Sequence, residues 1–174
     1  MRSSAASDVY KRQAQGYSHE SVWSRGQAWA IYGFTMCYRE TGDKRYLNQA
    51  IKTFNCIIHH DNLPVDLIPY WDMDAPGIPN EPRDASSASC MAAALYEIST
   101  YDIPKAASYK AYADRIMMHL SSPAYRAAPG TNGNFLLMHS VGSIPHNNEI
   151  DVPLNYADYY FMEALKRKKD LEYL

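Results

Sequence analysis

The sequence predicts an all-α chain of helical hairpins, and three observations carry that expectation. Apolar residues recur at helical spacing in five separate segments. The first two segments are joined by a connection so short that the helices must lie antiparallel. No segment sustains the period-two alternation of a half-buried strand between turn dipeptides, although Phe135-Leu136-Leu137-Met138 has the composition of a short strand.

The first helix is expected over residues 22–41, with Ala30, Phe34, Cys37 and Tyr38 on its apolar face and Gly42-Asp43 as its stop. The second, over 43–60, carries Leu47, Ile51, Phe54 and Ile58 on one stripe. Residues 61–83 break the pattern with prolines at 64, 69, 76, 79 and 82, and Tyr70 and Trp71 give this long loop something to pack with. Such loops more often carry function than connect elements. A third helix starts at Asp84, whose carboxylate suits the N-cap, and continues through Ala88, Ala92, Leu95 and Ile98. Its alanines at 92–94 predict close helix packing.

Pro104 opens a fourth helix with Tyr109, Ala113, Ile116, Met117 and Leu120 on its stripe. Residues 121–152 are irregular and include the Gly130-Thr131-Asn132-Gly133-Asn134 turn cluster. The fifth helix runs from Pro153 to about Lys169, with Leu154, Ala157, Phe161 and Leu165 facing inward. Long loops follow each second helix, so they should gather at one end of the bundle. A site is expected there.

The chain has 174 residues, 17 Lys plus Arg, 19 Asp plus Glu and a formal charge of −2, which fits one globular unit with a real core. Its 13% aromatic content argues against disorder. No apolar run reaches the roughly 18 to 20 residues of a membrane span, and no basic block offers a nucleic acid partner an electrostatic footing. Cys37, Cys56 and Cys90 are odd in number and form no CxxC; they read as buried small hydrophobes. Residues 1–13, MRSSAASDVYKRQ, lack both a signal-peptide core and a helical period, and resemble translated adapter sequence. The native start is then expected elsewhere, and the compartment, cytoplasmic or periplasmic, stays open.

The densest cluster of chemistry-bearing residues is Tyr17-Ser18-His19-Glu20 followed by Trp23, Arg25, Gln27 and Trp29. Arginine presents a planar fork for a carboxylate, tryptophan a flat face for a sugar ring, and glutamine and histidine directional hydrogen bonds. The composition fits an acidic carbohydrate. An equal alternative is that the tryptophans are core and Arg25 pairs with a nearby acid. Glycosidic chemistry usually needs paired carboxyl groups. None of Asp72, Asp74, Asp84, Glu149, Asp151 or Asp158 declares itself as half of such a pair. A helix cap for Asp84 and a tyrosine hydrogen bond for Asp158 are the plainer readings. Adjacent His59 and His60 face different directions, and His139 and His146, which could approach each other, lack a third ligand, so no metal site is expected.

The stretch Trp23-Ser24-Arg25-Gly26-Gln27-Ala28-Trp29-Ala30-Ile31-Tyr32-Gly33-Phe34 resembles the signature of unsaturated glucuronyl hydrolases, glycoside hydrolase family 88. Three further blocks match in the same order: Pro69-Tyr70-Trp71-Asp72, Arg83-Asp84-Ala85-Ser86-Ser87-Ala88, and the run from Glu149 through Tyr160. Unsaturated rhamnogalacturonyl hydrolases share a similar Trp-x-Arg-Gly block and are the nearest rival. A non-catalytic helical carbohydrate-binding protein is the alternative of another class.

The resemblance implies an (α/α)6 barrel of twelve helices, of which residues 14–174 would form roughly the C-terminal half. It implies removal of an unsaturated uronic acid from the non-reducing end of lyase-generated oligosaccharides, without metal or organic cofactor. An aspartic acid protonates C4 of the C4=C5 double bond, water adds at C5, and the resulting hemiketal rearranges and releases the linkage. His19, Trp23, Arg25, Gln27 and Trp29 would line the sugar subsite, with His139 sharing the substrate carboxylate. The two catalytic aspartates of the family lie upstream of the Trp-x-Arg-Gly-Gln block, so no catalytic residue is assigned in this chain.

Overall fold

The computed structural model describes residues 15–173; the adapter-like segment 1–13 lies outside them. Among the described residues there are five α-helices: α1 (Ser24–Thr41), α2 (Lys44–Ile58), α3 (Ala85–Ile98), α4 (Ala106–Leu120) and α5 (Asn155–Glu172). Each expected helix is present within a few residues of its expected bounds. Gly42 ends α1 in the left-handed conformation (φ 69°) and its amide donates to the Tyr38 carbonyl at 2.8 Å. Asp43 immediately caps α2 by accepting from the Arg45 amide at 2.9 Å. Pro104 does not open α4; it sits in a separate 3-10 turn, Ile103–Lys105, and α4 begins at Ala106.

Helix α3 is the hub. Every residue in it except Glu97 is buried, so it lacks the one-sided stripe of a surface helix. Its serines and alanines are small enough for α1, α4 and α5 to pack closely around it. Helices α1, α3 and α5 start at the loop-bearing end and α2 and α4 finish there, so three parallel helices are backed by two antiparallel ones. Phe54 of α2 meets Tyr109 and Tyr112 of α4 edge-on, at 5.9 and 5.4 Å between centroids, and closes that outer layer. Across the inner layer, Arg167 of α5 pairs with Glu97 of α3 at 2.7 Å and with Glu163 at 3.2 Å, while the Tyr32 hydroxyl of α1 donates to Glu163 at 3.0 Å.

Four local expectations are corrected. Residues 135–138 form no strand: one bridge, Leu137 with Arg126, is all the pairing there. The amides of Leu136 and Leu137 donate instead to the Asp158 carboxylate, at 2.8 and 2.9 Å. Asp158 therefore binds backbone where a tyrosine was expected. Leu165 is exposed, the inward stripe of α5 being Ala157, Phe161 and Ala164. Of the cysteines only Cys90 is buried; Cys37 is intermediate and Cys56 exposed.

The proline-rich loop is anchored by Asp66, which binds the Arg83 guanidinium and accepts from the Tyr125 hydroxyl at 3.0 Å and the Ile68 amide at 3.1 Å. Burial works to raise this carboxyl, but the Arg83 hydrogen bond, the Ile68 amide and Tyr125 outweigh it and hold it below its ordinary 3.8. A depressed folded value means the stabilisation is present above the unfolded value and is lost as pH falls through the folded one. Asp66→Asn is expected to cost about 1–2 kcal/mol in urea unfolding at pH 7. The gap to the parent should close below about pH 4; an equal gap at pH 3 would refute this account.

Candidate functional site

Both long loops converge on the N-terminal ends of α1, α3 and α5, as the order of loops and helices requires. Residues 15–22 fold back over the loop at 71–74. Asp72, fully buried, accepts from the Tyr17 amide (2.8 Å), the Ser21 hydroxyl (2.7 Å) and the Asp74 amide (2.9 Å). Asp74 accepts from the Val22 amide (2.9 Å) and pairs with His60 (3.3 Å). The first turn of α1 is tied to the same loop: the Ser24 amide donates to the Trp71 carbonyl at 3.1 Å and its hydroxyl to the Tyr70 carbonyl at 2.6 Å.

Arg25 lies at the centre of this junction and is 2% exposed. Its Nη1 reaches Asp84 Oδ2 at 3.3 Å, its guanidinium also donates to the Val141 and Gly142 carbonyls, and Nη2 donates to Gln15 at 3.0 Å. Of the two readings of Arg25, the structure realises the pairing with an acid. Three aromatic faces surround the guanidinium carbon: Trp23 at 5.1 Å, Trp29 at 5.4 Å and Tyr156 at 5.5 Å. Asp84 is the N-cap expected for α3, accepting from the Ser86 amide at 3.1 Å and hydroxyl at 2.6 Å. Burial pushes its carboxyl above the ordinary 3.8, against the opposing pull of Arg25, Ser86 and the Val141 amide. The pair is neutral as a unit, so it does not offer a bare cation to an anion. Burial likewise raises the Tyr156 phenol, with Arg25 opposing.

What faces outward is an aromatic corner. Trp29 is 41% exposed, meets Trp23 edge-on at 5.8 Å and lies 6.4 Å from Tyr156. His19 is exposed, and Gln27, two positions before Trp29, is half-buried. Gly26 has a steric reason to be glycine: a Cβ there would stand 2.5 Å from Trp23 Cε3 and 3.0 Å from Cζ3.

His139 belongs to a different hollow, of about 330 Å³, lined by Asn80, Glu81, Arg83 and Asp151 as well. Its Nδ1 lies 2.7 Å from Asp151 Oδ1, and both residues adopt positive φ (61° and 54°). His146 binds the Ser143 hydroxyl at 2.7 Å, so the two histidines have separate partners. Among the described residues no group of three or more His, Cys, Asp or Glu is placed to hold a metal ion, and no helix is long and apolar enough to cross a membrane. The roles of Asp84 toward Arg25, of Asp151 toward His139 and of Tyr156 as a third ring have no signature in spacing. They sit 59, 12 and 131 positions from their partners (84 less 25, 151 less 139, 156 less 25).

No family model matches the chain. It is 49% identical over 157 residues to the unsaturated glucuronyl hydrolase of Formosa agariphila, covering 90% of this chain and 39% of that protein. The crystal structure of an unsaturated glucuronyl hydrolase specific for heparin superposes with a TM-score of 0.91 at 44% identity, covering 94% of this chain and 44% of that one. The chain is closely related to the unsaturated glucuronyl hydrolase family. A second relative of this family, the unsaturated chondroitin disaccharide hydrolase of Streptococcus agalactiae serotype III, is 34% identical over 158 residues, covering 88% of this chain and 38% of that protein. The chain spans about two fifths of the length of the unsaturated glucuronyl hydrolases it matches. Its three parallel and two backing helices are part of the (α/α) barrel of that family.

Proposed function

We propose that residues 14–174 are the C-terminal portion of an (α/α)6-barrel glycosidase. It removes an unsaturated glucuronyl residue from the non-reducing end of lyase-generated oligosaccharides by hydrating the C4=C5 double bond. The 49% identity to an unsaturated glucuronyl hydrolase carries this reading. Its support in the site is the aromatic corner, which suits a planar unsaturated ring. In this reading Trp23 and Trp29 hold the ring, and His19 and Gln27 bind its hydroxyl groups. Arg25 acts through the loop carbonyls and rings it organises, and His139, fixed by Asp151, meets the substrate from the second loop. The acid that protonates C4 is supplied by aspartates outside this chain.

The test is tryptophan fluorescence titration of the chain with unsaturated disaccharides made by chondroitin, heparin and pectin lyases. Saturable binding of the glucuronyl disaccharides is expected. Gly26→Ala should weaken it by about tenfold, because the added methyl displaces the Trp23 indole. Alanine itself favours the helix by up to about 1 kcal/mol, so the melting temperature should not fall in parallel. Binding of the pectin-derived disaccharide alone would favour a rhamnogalacturonyl specificity, and no binding to any would sink the proposal.

A further inference from the structure

Val141 and Gly142, whose carbonyls Arg25 holds, stand on the first arm of a hairpin. Its arms pair through Ser140 with Val152 and Ser143 with Asn148, and the Gly142 amide donates to the Glu149 carbonyl at 2.6 Å. Val141 packs with Trp71 and Ala75, and Ile144 and Trp23 border the same cluster, so the hairpin lies against the aromatic corner. Glu149, on the second arm, is exposed and adopts positive φ (53°). A non-glycine residue holds that conformation at a cost that glycine would avoid. The Glu149 carboxylate rests on Gly142: a Cβ built there would stand 2.4 Å from Oε2. It therefore lies on the peptide whose carbonyl Arg25 binds. Tyr156 feels the same charge: besides burial, and against Arg25, both Asp84 and Glu149 push its phenol upward.

Several carboxylates at this end are committed: Asp72 to amides and a hydroxyl, Asp84 to Arg25, Asp151 to His139. Glu149 has no ion pair and no side-chain hydrogen bond among the described residues. Arg25 and Asp84 neutralise each other, so the charge of Glu149 is left uncompensated beside the corner. A carboxylate accepts hydroxyl and amide hydrogen bonds strongly and repels a second anion. We propose that Glu149 is a further ligand-binding residue that selects by charge. It accepts hydrogen bonds from hydroxyl or amide N–H groups of a bound disaccharide and turns away one that carries a sulfate on the sugar beside it. Discrimination of this kind needs the repulsive element as much as the attractive one. The inference rests on the proposed function, since it takes the unsaturated ring to lie in the aromatic corner. Protonation of C4 stays with the upstream aspartates.

Tryptophan fluorescence of the full 174-residue chain reads this directly, because its three tryptophans, Trp23, Trp29 and Trp71, all border the hairpin or the corner. The ligands are the unsaturated chondroitin disaccharide without sulfate and the same disaccharide with one sulfate on its amino sugar. The parent should bind the unsulfated form at least about threefold tighter at low salt, and added salt should narrow the difference. Glu149→Gln keeps the shape of the side chain. It should weaken the unsulfated ligand by about fivefold and tighten the sulfated one by about threefold. A merely structural role would not move the two affinities in opposite directions. Glu149→Gly should lose the same selectivity without lowering the melting temperature, because glycine accepts the φ of 53°. An unchanged ratio of affinities in Glu149→Gln overturns the inference and leaves the proposed function standing. A parent that prefers the sulfated form does the same, as does a parallel loss of both ligands with a lower melting temperature. A parent that binds neither form overturns both.

Discussion

Asp84→Ala is expected to cost about 3–5 kcal/mol, the range for removing one partner of a buried ion pair. The carboxylate performs two tasks at once: it caps α3 through Ser86 and pairs with Arg25. Loss of a cap alone is worth about 1 kcal/mol. The larger part comes from leaving a guanidinium that is 2% exposed without a counter-charge. Set against a domain stability of about 5–15 kcal/mol, that is enough to unfold much of the population. Urea denaturation followed by circular dichroism measures it. Arg25→Met in the same background should recover part of the loss, because the stranded charge goes with it. A cost below about 1 kcal/mol would mean that the Val141 and Gly142 carbonyls suffice to hold Arg25.

The isolated chain is expected to release no unsaturated uronate from any lyase-generated disaccharide, even where it binds one. Protonation of a vinyl ether at C4 needs a carboxyl group free to deliver its proton, and a positioned acid is worth about 10²–10⁴ in rate. Asp72 is committed to two amides and a hydroxyl, Asp84 to Arg25 and Ser86, and Asp158 to the amides of Leu136 and Leu137. Loss of the ultraviolet absorbance of the conjugated double bond, followed at high protein concentration, is the assay. Activity should appear only when the chain is joined to an upstream region carrying the two family aspartates. Turnover by the chain alone would place the acid among its own carboxylates and overturn the assignment.

The acidic dependence at Asp66 and the steric role of Gly26 show how differently two residues can be legible. Gly26 stands inside a recognisable block, but its reason lies in the orientation of one indole above it. Asp66 stands in a loop whose sequence is marked by its prolines and carries no local sign of its role, yet it binds Arg83 at the loop's end and Tyr125 beyond α4.

By itself the sequence determined the five helices, their order, the stop at Gly42-Asp43, the cap at Asp84, and the gathering of long loops at one end. These follow from interactions within one turn or from the parity of hairpins, and local spacing records both. Four ordered blocks also determined the family resemblance. Only the tertiary structure decided what Arg25 does, that Tyr156 joins Trp23 and Trp29 around it, that His139 occupies another hollow, and that Asp158 serves backbone amides. Each of those depends on groups brought together from distant segments around a hub that is buried on nearly all sides. An arginine fork or a carboxylate is chemically equal to several partners, and its choice among them is made by which loops the packing of α3 brings within reach.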